Sequence, residues 1–223
     1  GVSVPATTAV ESLRSIVERG PYDFVSVDSQ HAPYNEECLV LFCERAAELG
    51  VHVQFRIKHT RHTYMVGNFL DLGPTGIEVP QVETEETVDE AVSNFYYPQR
   101  GVRSWGGRSR LGIKSYGVGH RDYAAWWART GVLWIQVESV NSVTSVRKLA
   151  KPGVDCVSFG PMDLTFSLEA HPEHVLKTVD DCVGFVAEAL KDTDTAVCYR
   201  NNTPETRQKY IDMGVTVLLE QSR

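Results

Sequence analysis

The chain has 223 residues, 42% of them hydrophobic and 23% charged, and a formal net charge of −7. An acidic balance of that size excludes nucleic acid as the main partner, because phosphate backbones are held by clustered Lys and Arg. No apolar run nears the ~20 residues that span a bilayer, so no membrane partner is expected.

Five cysteines (Cys38, Cys43, Cys156, Cys182 and Cys198) form no Cys-x-x-Cys pair and read as reduced residues of a cytoplasmic protein. From the start, Val2 to Val4 is a predicted strand, and Pro5-Ala6-Thr7-Thr8 opens a helix that Gly20-Pro21 stops. A second strand, Tyr22 to Val27, is followed by helix Glu36 to Leu49, and a third strand, Val51 to Ile57, by helix Tyr64 to Leu72. A fourth strand, Gly76 to Val79, leads to helix Glu85 to Phe95 and a long irregular stretch, Tyr96 to Tyr116. After a helix around Tyr123 to Ala128, two apolar runs each end in acids: Leu133 to Glu138, and Val154 to Leu164 with Asp163 near its end. Helix Val140 to Leu149 lies between them. Helix Pro172 to Leu190, strand Thr195 to Tyr199, helix Pro204 to Met213 and strand Val215 to Leu219 complete the chain.

Eight strands alternating with helices predict one (β/α)8 barrel domain over residues 1–223. An open doubly wound sheet fits less well, since no Gly-x-Gly-x-x-Gly follows a strand. The eighth outer helix is missing from this chain, so the barrel wall there is expected to need another cover.

Asp28 and His31 fall on the loop after the second strand, Arg56 at the end of the third, Gln136 and Glu138 on the fifth, and Asp163 just past the sixth. These are C-terminal strand ends, the face where barrel enzymes work. Two carboxylates there suit a small hard cation such as Mg2+, Mn2+ or Co2+. The ion would act on a 2-oxo acid as a Lewis acid, with Arg56 offsetting enolate charge and His31 serving as base. The plain alternative is that the acids cap helices and Arg56 is only their ion-pair partner. His59 and His62 are expected in a solvated loop, the stretch Arg100 to Arg110 is expected to line the barrel mouth, and Trp126-Trp127 is expected to pack a helix.

Asp28-x-x-His31-x-Pro33, the Arg56 strand, Leu70-Asp71-Leu72-Gly73, Tyr97-Pro98-x-x-Gly101-Val102-Arg103, Gln136-x-Glu138 and Gly160-Pro161-x-Asp163-Leu164 resemble the HpcH/HpaI aldolases. That resemblance implies a metal-dependent aldolase joining pyruvate and an aldehyde, with Glu138 and Asp163 as metal ligands. It further implies Gln136, Arg56, Asp163 and the Met162 backbone amide as substrate contacts, His31 as base, and Asp71 as the acid that raises a histidine's basicity. Asp71 precedes the fourth strand, at the barrel end away from His31. Its implied role therefore requires a neighbouring copy, and a homo-oligomer such as a trimer of dimers. Gln30 and Ala32 depart from the family's usual Glu and Gly, and Leu219-Glu220 from its usual Gly-x-Asp. Alternatives are an oxaloacetate decarboxylase of macrophomate synthase type, a CoA-thioester lyase, and a non-catalytic oligomeric scaffold.

Overall fold

The computed structural model describes residues 1–20, 22–112 and 119–222. Pro21 and the predicted end of the irregular stretch at Tyr116 lie outside them. The strands are β1 (Val2–Ser3), β2 (Phe24–Asp28), β3 (His52–Arg56), β4 (Gly76–Val79), β5 (Val132–Val137), β6 (Cys156–Phe159), β7 (Ala196–Arg200) and β8 (Val217–Gln221). All pair in parallel and in chain order, and β8 closes on β1. This is the (β/α)8 barrel that the alternation predicts.

Helices α1 (Val10–Arg19), α2 (Glu36–Glu48), α3 (Val66–Leu70) and α4 (Glu85–Phe95) follow β1 to β4. Helices α5 (His120–Thr130), α6 (Val140–Thr144), α7 (Val146–Leu149), α8 (Pro161–Ala170), α9 (Val179–Leu190) and α10 (Arg207–Asp212) wrap the second half. Among the described residues no helix is long and apolar enough to cross a membrane.

Side-chain alternation along the strands sorts the residues between two cores. On β5, Leu133, Ile135 and Val137 join the large apolar layer under the helices, whereas Trp134 joins a small cluster inside the barrel with Cys156, Cys198 and Leu219. Each fully buried aliphatic side chain of the outer layer contributes about 1.5–3 kcal/mol. Toward the C-terminal strand ends the interior turns polar: Ser26, Gln54, Arg56, Glu78, Gln136 and Ser158 are all buried there. The outer layer supplies most of the apolar stabilisation, which leaves the mouth available for charge.

Several boundaries depart from the sequence reading. The run predicted as strand from Val154 to Leu164 stops at Phe159, and α8 begins at once with Pro161 in its first turn. Proline's fixed φ suits that position, where its missing N–H leaves no helical bond unmade. Asp163 is therefore a first-turn helix residue, and Asp28 is the last residue of β2 rather than a loop residue. The helix predicted over Pro172 to Leu190 begins only at Val179, where the Thr178 hydroxyl accepts from Asp181 N at 3.0 Å and the Asp181 carboxylate accepts from Thr178 N at 2.9 Å. The helix predicted from Val140 to Leu149 breaks at Ser145 into α6 and α7.

The Arg100 to Arg110 stretch does not line the mouth. Arg103 Nη2 donates to Asp71 Oδ1 at 2.8 Å, and Gly107, at φ +67, lies against Asp71 just before β4 begins. These contacts place the stretch at the N-terminal end of the barrel. Of the other features, His62 departs from the expected solvated loop, lying half-buried in a 3-10 turn over Thr60–Met65 beside Phe69 with its Nδ1 enclosed; the remaining bland expectations hold. His59 Nδ1 accepts from Arg61 N at 3.0 Å as a local cap, Trp127 Nε1 donates to the Phe95 carbonyl at 3.0 Å, and all five cysteines are unbonded.

Candidate active site

The polar mouth starts with a fork. Arg56 and Asp28 are partners in the β2–β3 ladder, and the guanidinium donates through Nε to Oδ1 at 2.8 Å and through Nη2 to Oδ2 at 2.7 Å. Such a bidentate pair fixes the plane of the guanidinium as well as its charge. Its Nη1 donates to Gln136 Oε1 at 3.2 Å, and Gln136 Nε2 donates to the Phe159 carbonyl at 3.2 Å. A polar chain thus crosses β2, β3, β5 and β6. Burial alone would push the Asp28 carboxyl up, but the hydrogen bond and charge of Arg56 hold it below the usual range. Burial likewise opposes the Arg56 charge, and the Asp28 hydrogen bond with the nearby charges of Glu78, Asp28 and Glu138 outweighs it.

Glu138 follows β5 directly and is 5% exposed. Its backbone N donates to the Ser142 hydroxyl at 3.3 Å, inside the reciprocal Ser139–Ser142 cap that starts α6. Its Oε2 accepts from Gln81 N at 2.8 Å. Gln81 holds φ at 50°, the single non-glycine residue with positive φ among those described. That left-handed backbone costs about 1–2 kcal/mol, and it turns the Gln81 N–H onto the carboxylate. On the other side lies Gly160, where an added Cβ would meet Glu138 Oε1 at 1.9 Å. Burial first, then the charge of Asp163, pushes the Glu138 carboxyl up to about 7. Two carboxylates that repel one another in a polar pocket, one buried and the other, Asp163, exposed on the first turn of α8, fit a divalent cation that keeps several waters.

His31 is exposed on the loop after β2, and its backbone N donates to Asp28 Oδ2 at 3.3 Å. Gln30 N donates to Asp28 Oδ1 at 2.8 Å, while the Gln30 Oε1 is buried without a partner. Met162 is 66% exposed beside Asp163 at the start of α8. Asp28, Arg56, Gln136, Glu138 and Asp163 therefore converge with the loop of Gln30 and His31. Asp71 does not: it caps α3 and pairs with the buried Arg103. Among the described residues no group of three or more His, Cys, Asp and Glu gathers to hold a metal, so a cation here would have only the Glu138–Asp163 pair to hold it.

Residues 6–206 match the family model of the HpcH/HpaI aldolase/citrate lyase. The chain belongs to this family. A hydroxypyruvate/pyruvate aldolase of Delftia acidovorans is 28% identical over 200 residues, covering 89% of this chain and 73% of that protein. A 5-keto-4-deoxy-D-glucarate aldolase of Shigella boydii is 28% identical over 180 residues, 77% of this chain and 65% of that one. Among solved structures, the HpcH/HpaI aldolase of Desulfitobacterium hafniense superposes with a TM-score of 0.83 at 24% identity, over 99% of this chain and 85% of that one. Macrophomate synthase gives 0.78 at 21% identity, over 99% and 76%. These structural likenesses show the shared barrel.

In this family member the mouth also holds groups that sequence reasoning passed over. Glu78 on β4 is fully buried; it accepts from Arg200 Nη2 at 2.7 and 2.6 Å and from the Ser158 hydroxyl at 2.5 Å. The available signal was an acid inside the buried strand Gly76-Ile77-Glu78-Val79, where a lone charge needs a partner. Arg200, the last residue of β7, is that partner.

Proposed function

We propose that this chain is a divalent-metal-dependent aldolase that forms or cleaves the bond between the methyl carbon of pyruvate and the carbonyl carbon of an aldehyde. The observation that carries this reading is Glu138: a buried carboxylate at the barrel mouth, held by Gln81 N, crowded by Gly160, and raised to about 7 next to Asp163. Glu138 and Asp163 would hold Mg2+, Mn2+ or Co2+, and the bound ion supplies a Lewis acid for the 2-oxo acid. The Met162 backbone N–H, at the start of α8, donates to the pyruvate carboxylate, and Gln136 and Asp163 complete the substrate contacts. Arg56, its plane fixed by Asp28, donates to the keto oxygen as it becomes an enolate oxygen. His31 takes the proton that leaves the methyl group and returns one to the alkoxide formed from the aldehyde. Asp28 anchors both the arginine and the His31 backbone. The active form is a homo-oligomer in which Asp71 serves the His31 of a neighbouring copy, and the unbonded cysteines fit the cytoplasm.

The test is exchange of the pyruvate methyl protons in D2O, followed by NMR with each of the three metal ions. Metal-dependent exchange that is lost in Glu138→Gln is the expected result. Wild-type protein that exchanges no faster than the free ion, with all three ions, overturns the reading and favours a non-catalytic barrel.

A further inference from the structure

The mouth contains two guanidinium groups, and they are used differently. Arg56 spends three of its nitrogens on Asp28 and Gln136. Arg200 spends one: its Nη2 alone reaches both oxygens of Glu78. Its Nε is buried without any partner, and its Nη1 makes no hydrogen bond among the described residues. A structural ion pair ordinarily engages an edge of the guanidinium, with two parallel N–H donors on one carboxylate. Here Nη1, with its two N–H donors, is left for something else, while Nε is enclosed on the Glu78 side.

Its position says what. Arg200 ends β7 at the C-terminal side of the barrel, and Cys198 two residues earlier is on the inside. Cys198 is the ladder partner of Ser158, so Arg200 stands level with Gly160, the residue that crowds Glu138. Its side chain is 16% exposed while its Glu78 partner is fully buried, so the pair is closed below and open above. The local charge balance permits an anion: four carboxylates (Asp28, Glu78, Glu138 and Asp163) face two arginines, and a divalent ion at Glu138 and Asp163 brings the mouth to neutrality. One anionic group is accounted for by the carboxylate of the 2-oxo acid. A further set of free, partly desolvated guanidinium donors calls for a second.

We propose that Arg200 is a specificity-determining residue that receives a carboxylate on the acceptor, so that this enzyme prefers aldehydes bearing their own carboxylate over neutral ones. This rests on the pyruvate aldolase reading above. Glu78 acts here as a positioning residue: it holds Nη2 and so aims the free Nη1, and its charge tempers the pull of Arg200 on anions.

The experiment compares glyoxylate, a carboxylate-bearing aldehyde, with glycolaldehyde, a neutral one, as acceptors for pyruvate in the metal-loaded enzyme. The readout is the ratio of kcat/KM for the two. Removing Arg200 alone would strand the Glu78 charge in the interior, so two better-folded variants are used. In Glu78→Gln the arginine keeps its charge without a counter-charge, and the ratio is expected to rise. In the double variant Glu78→Gln with Arg200→Gln both charges go together, and the ratio is expected to fall about 10- to 100-fold, the worth of one charge-assisted hydrogen bond. A mere strut between β4 and β7 predicts that the two variants change both acceptors in parallel. Equal ratios in the wild type and both variants, or shifts of the same sign, overturn the proposal. Proton exchange into pyruvate needs no acceptor: an enzyme that exchanges but shows no such ratio change loses this inference alone, whereas one that does not exchange loses the aldolase reading with it.

Discussion

Glu138 should make the metal-free protein lose stability as pH rises. Its carboxyl sits at about 7 in the folded chain instead of 4.5, chiefly because burial disfavours the charge and then because Asp163 repels it. The folded state therefore prefers the protonated form. Its contribution is complete below about 4.5, shrinks as pH rises through about 7, and is gone at pH 8. At ~1.4 kcal/mol per pH unit the interval between those values is worth about 3 kcal/mol. With a urea m-value of roughly 2–3 kcal/mol/M, that amounts to about 1 M in the unfolding midpoint. The assay is urea unfolding in chelator at pH 5 and pH 8, comparing wild type with Glu138→Gln so that all other titrating groups cancel. The wild type should lose about 1 M more than the variant over this range, and saturating divalent ion should restore it at pH 8. Parallel pH dependences in the two proteins would refute the claim that Glu138 carries an uncompensated buried charge.

The same pocket makes further predictions. Gly160→Ala places a methyl group where Glu138 Oε1 lies, so calorimetric titration with Mn2+ should show affinity lowered at least tenfold in a protein with an unchanged circular dichroism spectrum; retained affinity would separate Gly160 from the site. Arg56→Lys keeps the charge but loses the fork on Asp28 and the contact to Gln136, and kcat should fall about 100-fold or more; near wild-type turnover would reduce Arg56 to an ion-pair partner. Mixing inactive Asp71→Ala with inactive His31→Ala under subunit exchange should restore part of the activity, and a mixture that stays dead while mass spectrometry shows exchange would refute a site shared between copies.

The barrel was legible because its strands are short apolar runs set apart by helices with turn residues between them, a pattern that constrains topology even where boundaries blur. The errors have local causes. Cys156-Val157-Ser158-Phe159 continues through Gly160-Pro161-Met162-Asp163-Leu164 as one apolar run in composition, and nothing in hydrophobicity marks where strand becomes helix. Pro161 is the signal, since proline is at home in the first turn of a helix. The stretch from Arg100 to Arg110 was misplaced for another reason. Its glycines and arginines look like a ligand loop, but a segment that precedes a strand enters the barrel from its N-terminal end, and Arg103 is committed to Asp71 there.

The site was legible only as far as residue type at a strand end could carry it. Asp28, Arg56, Gln136 and Glu138 fall where alternation sends polar side chains into the mouth, and Asp163 opens the helix that follows β6, but Glu78 and Arg200 are 122 residues apart and meet only once the barrel closes. Buried charge then discriminates among the acids better than motif spacing does. Of the carboxylates buried among the described residues, Glu78 has Arg200 and Glu220 has Arg207. Glu138 has a backbone N–H and a repelling neighbour. A buried carboxylate without a cation costs several kcal/mol, and this fold adds the left-handed Gln81 and the close approach of Gly160 to keep it there. Glu220 could be traded with its partner for apolar groups without touching the mouth. No such exchange removes the imbalance at Glu138, whose charge is repelled by Asp163 and attracted only by a guanidinium, Arg56, that is already committed to Asp28.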